Sequence, residues 1–203
     1  VTLRHLLTHT GGFRSRLDLE WGDVSWEDAI GQVCAARKER RWPTGRKAGY
    51  HIASSWYALG EVVCRIDGRP YDQYVREEIF LPLGMSDCWL SMSEDRYNDY
   101  GARLASVYTT EGPLAVEQID RNGARVAARC VPGASGRGPA RQLIRLYEAL
   151  LAGGEIDGRR VLSPQTVEAL TSRQRTGLYD HTFKHVMDWG LGIVVNSAMN
   201  GVE

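Results

Sequence analysis

Residues 43–63 read PTGRKAGYHIASSWYALGEVV and pass from loop to helix in mid-phrase. Pro43, Gly45 and Gly49 punctuate a turn, after which Ile52, Ala53, Trp56, Leu59, Gly60 and Val63 recur at helical spacing. Tyr50 stands between the two halves. On periodicity alone, an aromatic just before a helix is a packing residue. A phenol at that place can also sit at the mouth of a cleft and move protons, and the flanking sequence has to decide.

Helical signals dominate on both sides of this stretch. Thr2 to Thr10 carry Leu3, Leu6 and Leu7 on one side and are closed by Gly11 and Gly12. Ser25 is an N-cap for a helix whose apolar set Trp26, Ala29, Ile30, Val33 defines one buried face. The helix after Tyr50 ends near Gly68, and another runs from about Tyr71 to Phe80, stopped by Pro82 and Gly84. From Cys88 to about Val131 the helical period is lost, and strands and loops are expected. A Gly- and Pro-rich loop at 131–140 leads into a helix with the stripe Leu143, Leu146, Tyr147, Leu150, Leu151. Ser163 and Pro164 then open a last helix, and WGLGIVV at 189–195 reads as a closing strand.

Composition narrows the function classes. The 203 residues include 25 basic and 25 acidic side chains, so the formal net charge is zero. That balance argues against a nucleic acid or a membrane surface held mainly by charge. The basic run RKERR at 37–41 reads as a solvated helix end. No apolar run reaches the ~18 residues of a membrane span. The four cysteines lie far apart; Cys34 and Cys64 fall on apolar helix faces and are expected to be buried thiols. His5 and His9, like His181 and His185, are spaced four apart, yet neither pair has the Glu of a zinc-protease motif, and structural roles are expected. The GASGRG loop lacks the spacing of a phosphate loop, and no GxSxG elbow occurs. Neither a metal nor a cofactor is called for.

Four phrases in register carry more. VTLRHLLTHTGGF at 1–13 resembles the helix and turn that follow the nucleophile helix in class C beta-lactamases, DD-peptidases and related esterases. The stretch from Tyr50 to Asp87, with its FLPLGM stop, resembles the next block of that superfamily, and residues 143–172 and 189–195 its later helix pair and strand. The resemblance implies an α+β, beta-lactamase-like (DD-peptidase-like) fold: an antiparallel sheet with helices plus a mainly helical domain, here incomplete. Residues 1–203 would be the central part of one such domain. It also implies a serine hydrolase that works through an acyl-enzyme, with a serine in Ser-x-x-Lys and a tyrosine that helps move the proton.

Tyr50 falls on that tyrosine. A serine hydroxyl is a poor nucleophile until a base takes its proton, and a phenol serves near neutrality only when neighbouring cations favour its phenolate. No serine here is followed three residues on by Lys, and no Lys-Thr-Gly occurs. Two accounts fit: an internal fragment of a longer hydrolase, inactive by itself, or a degenerate relative that only binds a ligand. His51 and Ile52 are the candidate substrate-binding residues. For His51, lining the cleft and capping the turn stand equal. Ile52 replaces the Asn usual in beta-lactamases and DD-peptidases, and a substrate amide left unpaired there costs roughly 1–3 kcal/mol. The expected substrate is therefore a small ester, with an amide or beta-lactam as the alternative.

Overall fold

The computed structural model describes residues 1–13, 19, 24–109, 116–117 and 123–196. Its helices follow local signals closely. Thr2 caps α1 (Leu3–Leu7), forming a reciprocal capping box with His5. The Ser25 hydroxyl accepts the Asp28 amide at 3.1 Å and opens α2 (Trp26–Ala35). Next come α3 (Ser54–Asp67), ended by Gly68 in the left-handed region, and α4 (Tyr71–Val75). The latter continues as a wider π turn over Arg76–Phe80, closed by Leu81 N–H to Arg76 C=O at 2.9 Å. After α5 (Glu94–Tyr100) and α6 (Ala124–Ala127), the longest late helix is α7 (Ala140–Leu151), followed by α8 (Pro164–Thr171).

Among the described residues the strands are short and pair as three antiparallel ribbons: β1 (Tyr108–Thr109) with β2 (Val116–Glu117), β3 (Glu155–Ile156) with β4 (Arg159–Arg160), and β5 (Tyr179–Asp180) with β6 (His185–Val186). Two apolar clusters hold the helices. One joins Leu19, Ala29, Ala53, Tyr57 and Val131, with Trp26, Ile30 and Val33 packed against it. Here α2 crosses α3 so closely that a Cβ on Gly60 would lie 3.0 Å from the Trp26 ring. The other gathers Leu83, Met85, Cys88 and Ala149 under Ile79, Phe80 and Leu146. Each large side chain so buried contributes roughly 1.5–3 kcal/mol before entropy is counted. Among the described residues no helix is long and apolar enough to cross a membrane.

Several expectations from sequence need correction. WGLGIVV does not run as a strand. Gly192 takes φ +85°, Gly190 N–H closes on Ile193 C=O at 2.9 Å, and the run folds back so that Trp189 bridges both Arg175 and Val194. Within 88–131, α5 and α6 replace part of the expected strands, while 110–115 and 118–122 lie outside the described residues. Ser93 caps α5 with Glu94 and Asp95 in its first turn, a signal masked by the lack of an apolar stripe. On α7 it is Ala149 and Leu146 that pack inward, leaving Leu143, Tyr147 and Leu151 exposed. Cys34 is exposed, and Cys64 is half-buried.

The folded-back turn yields a stability test. A Cβ on Gly190 would stand 1.9 Å from the Leu170 carbonyl oxygen, whereas one on Gly31, inside α2, meets nothing within 4 Å. Gly190→Ala is expected to cost about 2 kcal/mol or more through displacement of α8 or the turn. Gly31→Ala is expected to add about 0.5–1 kcal/mol. Denaturant melts of the two variants against the parent would check both signs.

Candidate active site

The backbone around Tyr50 is fixed by a carboxylate from far along the chain. Asp180 Oδ1 accepts the amides of Tyr50 at 3.2 Å, Thr182 at 2.9 Å and Phe183 at 3.1 Å. Its Oδ2 accepts Arg175 Nη2 at 3.1 Å, with the two side chains 0% and 2% exposed. Burial alone would raise the Asp180 pKa, but three amides and the Arg175 cation outweigh it and hold the carboxyl below its usual range. Arg175 also donates to Thr8 C=O at 3.0 Å and to Met187 C=O, so one ion pair gathers the end of α1, the Tyr50 loop and the β5–β6 ribbon. Thr182 Oγ donates to Tyr50 C=O at 3.1 Å, and His181 N–H to Ala48 C=O at 2.9 Å.

The Tyr50 ring, half-buried, sits in an aromatic box. Trp189 stacks on it at 5.8 Å between centroids, Phe183 lies at 5.2 Å and His9 at 4.6 Å. Trp56 Nε1 donates to the Tyr50 oxygen at 3.3 Å. A donor aimed at that oxygen stabilises charge developing there, while the apolar walls prevent the ring from swinging away. The arrangement can therefore present a phenol in a fixed place and pass a proton through it.

Behind Tyr50 two histidines lock the turn at 11–13. His51, 0% exposed, accepts the amides of Gly12 and Phe13 on Nε2, both at 3.2 Å, and this acceptor role assigns its proton to Nδ1, facing Ser55 Oγ. Its main-chain N–H donates to His9 Nδ1 at 3.2 Å. His9 therefore carries its proton on Nε2, which has no hydrogen-bond partner among the described residues. The His51 ring thus holds the 11–13 turn through its Nε2. Ile52 is half-buried at the bend before α3.

Sequence reading singled out Tyr50, His51 and Ile52 as candidates and missed the clamp and the box around them. Arg175 and Asp180 sit in RTGLYDHTF, where no motif or period marks them. Trp189 is buried, and it packs on the Tyr50 ring itself. The only signal for His9 was its place in the phrase HTGG. Among the described residues no group of His, Cys, Asp and Glu is arranged to hold a metal ion.

His9 gives the site a pH signature. Burial first, then the facing His51 and Arg175, push its pKa from 6.5 down to about 3, with only Asp180 opposing. The folded state keeps the ring neutral while the unfolded chain takes up a proton below pH 6.5, so stability falls as pH falls towards 3. Between pH 6.5 and 5 the loss from this group is expected to reach about 2 kcal/mol. His9→Asn tolerates the residue's φ of 54° and removes the titration. Unfolding free energies of parent and variant across that window should differ by this slope; parallel curves would refute it.

Comparison with known proteins finds relatives over nearly the whole chain. An uncharacterised protein of Mycobacterium tuberculosis is 26% identical over 213 residues, covering 97% of this chain and 50% of that protein. Among solved structures, a penicillin-binding protein homologue from Caulobacter crescentus is 28% identical with TM-score 0.76, covering 96% of this chain and 54% of that one. A family VIII carboxylesterase is 26% identical with TM-score 0.77, covering 98% and 56%. The chain thus spans about half the length of the relatives it matches. The family model described as Beta-lactamase matches residues 1–201, and the chain belongs to the beta-lactamase family.

Proposed function

We propose that this chain forms the proton-transfer side of a serine hydrolase that cleaves small esters through an acyl-enzyme, with Tyr50 as the general base. The observation that carries the reading is the clamped phenol: its backbone is fixed by Asp180, its ring by Trp189 and Phe183, and its oxygen is addressed by Trp56. The family match and the likeness to a carboxylesterase at 26% identity support it.

In the proposed reaction the serine comes from outside these 203 residues, since no Ser-x-x-Lys lies within them. Tyr50, as phenolate, takes the hydroxyl proton while the serine oxygen bonds to the ester carbonyl carbon. As the tetrahedral adduct collapses, the C–O bond to the alcohol breaks and the phenol returns the proton to the departing oxygen. Water then attacks the acyl-enzyme by the same route in reverse order. Among the described residues no hydrogen bond joins a lysine to Tyr50, so the lysine of Ser-x-x-Lys is assigned, like the serine, to a part of the hydrolase outside these residues. His51 serves as a positioning residue through the Gly12–Phe13 turn, and Ile52 gives the cleft an apolar edge that favours an ester over an amide.

In the complete protein, Tyr50→Phe is expected to lower kcat/KM for a chromogenic short-chain ester by about 10²- to 10⁴-fold, the usual worth of a positioned acid–base group. The melting temperature should move little, because the ring still fills its box and one hydrogen bond of about 1 kcal/mol is lost. Ile52→Asn should raise the ratio of amide to ester turnover. Ester turnover in Tyr50→Phe within a few-fold of the parent would return this ring to a packing role.

A further inference from the structure

A cavity of about 730 Å³ opens on the far side of the 85–92 loop, between α5 and the glycine-rich loop that leads into α7. It shares no lining residue with the Tyr50 box, and a ligand there would not depend on the hydrolase chemistry. One wall is built tightly. Trp89 and Arg137 exchange both main-chain hydrogen bonds at 2.8 Å, and Gly138 lies so close that a Cβ there would be 2.5 Å from Cys88 Sγ. Trp89 Nε1 donates to the Tyr100 hydroxyl at 3.0 Å, which donates to Asp87 Oδ1 at 2.7 Å. Gln142 Nε2 donates to the other Asp87 oxygen at 3.2 Å, and the Arg76 guanidinium lies 3.5 Å over the Trp89 ring. These polar groups are spent on one another, and the wall is rigid before anything binds.

The charge is not balanced. Among the described residues three guanidiniums line the cavity, those of Arg103, Arg137 and Arg141, against one carboxylate, that of Asp87. Arg141 approaches that carboxylate only to 3.9 Å, and Arg103 lies over the Tyr100 ring at 4.6 Å. Arg137 is the telling one. It is half-buried, donates from Nη1 to Ser135 C=O at 3.0 Å, and has no carboxylate at ion-pair distance among the described residues. Burial pushes its pKa down, against an opposing influence from Tyr97. A desolvated guanidinium without a counter-ion is costly, and a carboxylate with two oxygens in one plane fits its fork. Beside it the Trp89 ring and the buried Met92 offer apolar surface for a flat body.

We propose that this cavity is a second ligand site that takes a small organic carboxylate with a flat apolar body, the carboxylate on Arg137 and the body against Trp89 and Met92. Calorimetric titration of the complete protein with phenylacetate, phenylacetamide and inorganic phosphate tests it, with NMR to read transfer of magnetisation from the ligand methylene to the Trp89 indole. Phenylacetate should bind saturably and contact Trp89. The neutral amide should bind at least about tenfold more weakly, because it forfeits the charge-assisted pair. Arg137→Gln keeps the main-chain pairing with Trp89 and should weaken phenylacetate by a similar factor while leaving ester turnover unchanged. The ligand series on the parent protein carries the test even if that variant folds poorly. Equal binding of acid and amide, phosphate bound as tightly as phenylacetate, or no contact with Trp89 would each overturn the proposal.

Discussion

The arrangement around Tyr50 rests on the buried pair between Arg175 and Asp180. Two opposite charges taken out of water are not stabilising by themselves, since desolvation offsets much of their attraction. They become worthwhile here because both ions are well supplied with further partners: Asp180 accepts three amides besides the guanidinium, and Arg175 feeds two carbonyls besides the carboxylate. Removing one partner from such a pair strands the other and costs about 3–5 kcal/mol. What the pair gives in return is registration. Thr8, Tyr50 and Met187 are far apart in sequence, and all are placed by the same two side chains.

A second constraint arises from the first. With α1 and the Tyr50 loop tied together, His9 and His51 are buried face to edge, at 5.4 Å between centroids, and must share protons without charge. The directions of their hydrogen bonds settle how. His51 spends its acceptor nitrogen on two turn amides and its main-chain donor on His9, which leaves His9 a neutral donor pointing into aromatic surroundings. The left-handed backbone at His9 and the orphaned Nε2 are local costs in a well-packed region, of the kind that accumulates where geometry serves a site more than stability.

Local chemistry explains what was legible in the sequence. The N-caps Ser25 and Ser163, the Gly68 stop and the α2 stripe act over a few residues, and the structure follows them. The family phrases added what period could not, namely that helices of this order belong to a beta-lactamase-like fold. Tertiary effects were invisible. WGLGIVV has strand composition, but glycines at 190 and 192 allow a turn that α8 then seats through the Leu170 carbonyl, with Leu191 N–H bonded to it at 3.0 Å. The α7 stripe misjudged which face is covered, because the space under α7 suits Ala149 and Leu146. Arg175 and Asp180 could not be read at all, since a buried pair five residues apart looks the same in sequence as an exposed one.

The position of Tyr50 also bears on why a phenol is there. A histidine in the same box would be as desolvated as His9, whose pKa sits near 3, and would stay neutral with little basicity at the pH of most hydrolases. A phenol in that place keeps one oxygen that can both donate and accept a hydrogen bond. Trp56 supplies one donor from α3, and Arg175 lies behind Trp189, 5.1 Å from its ring, committed to Asp180. The Arg175 charge is thus spent within the structural clamp, and among the described residues the Trp56 N–H is the donor that addresses the phenol oxygen.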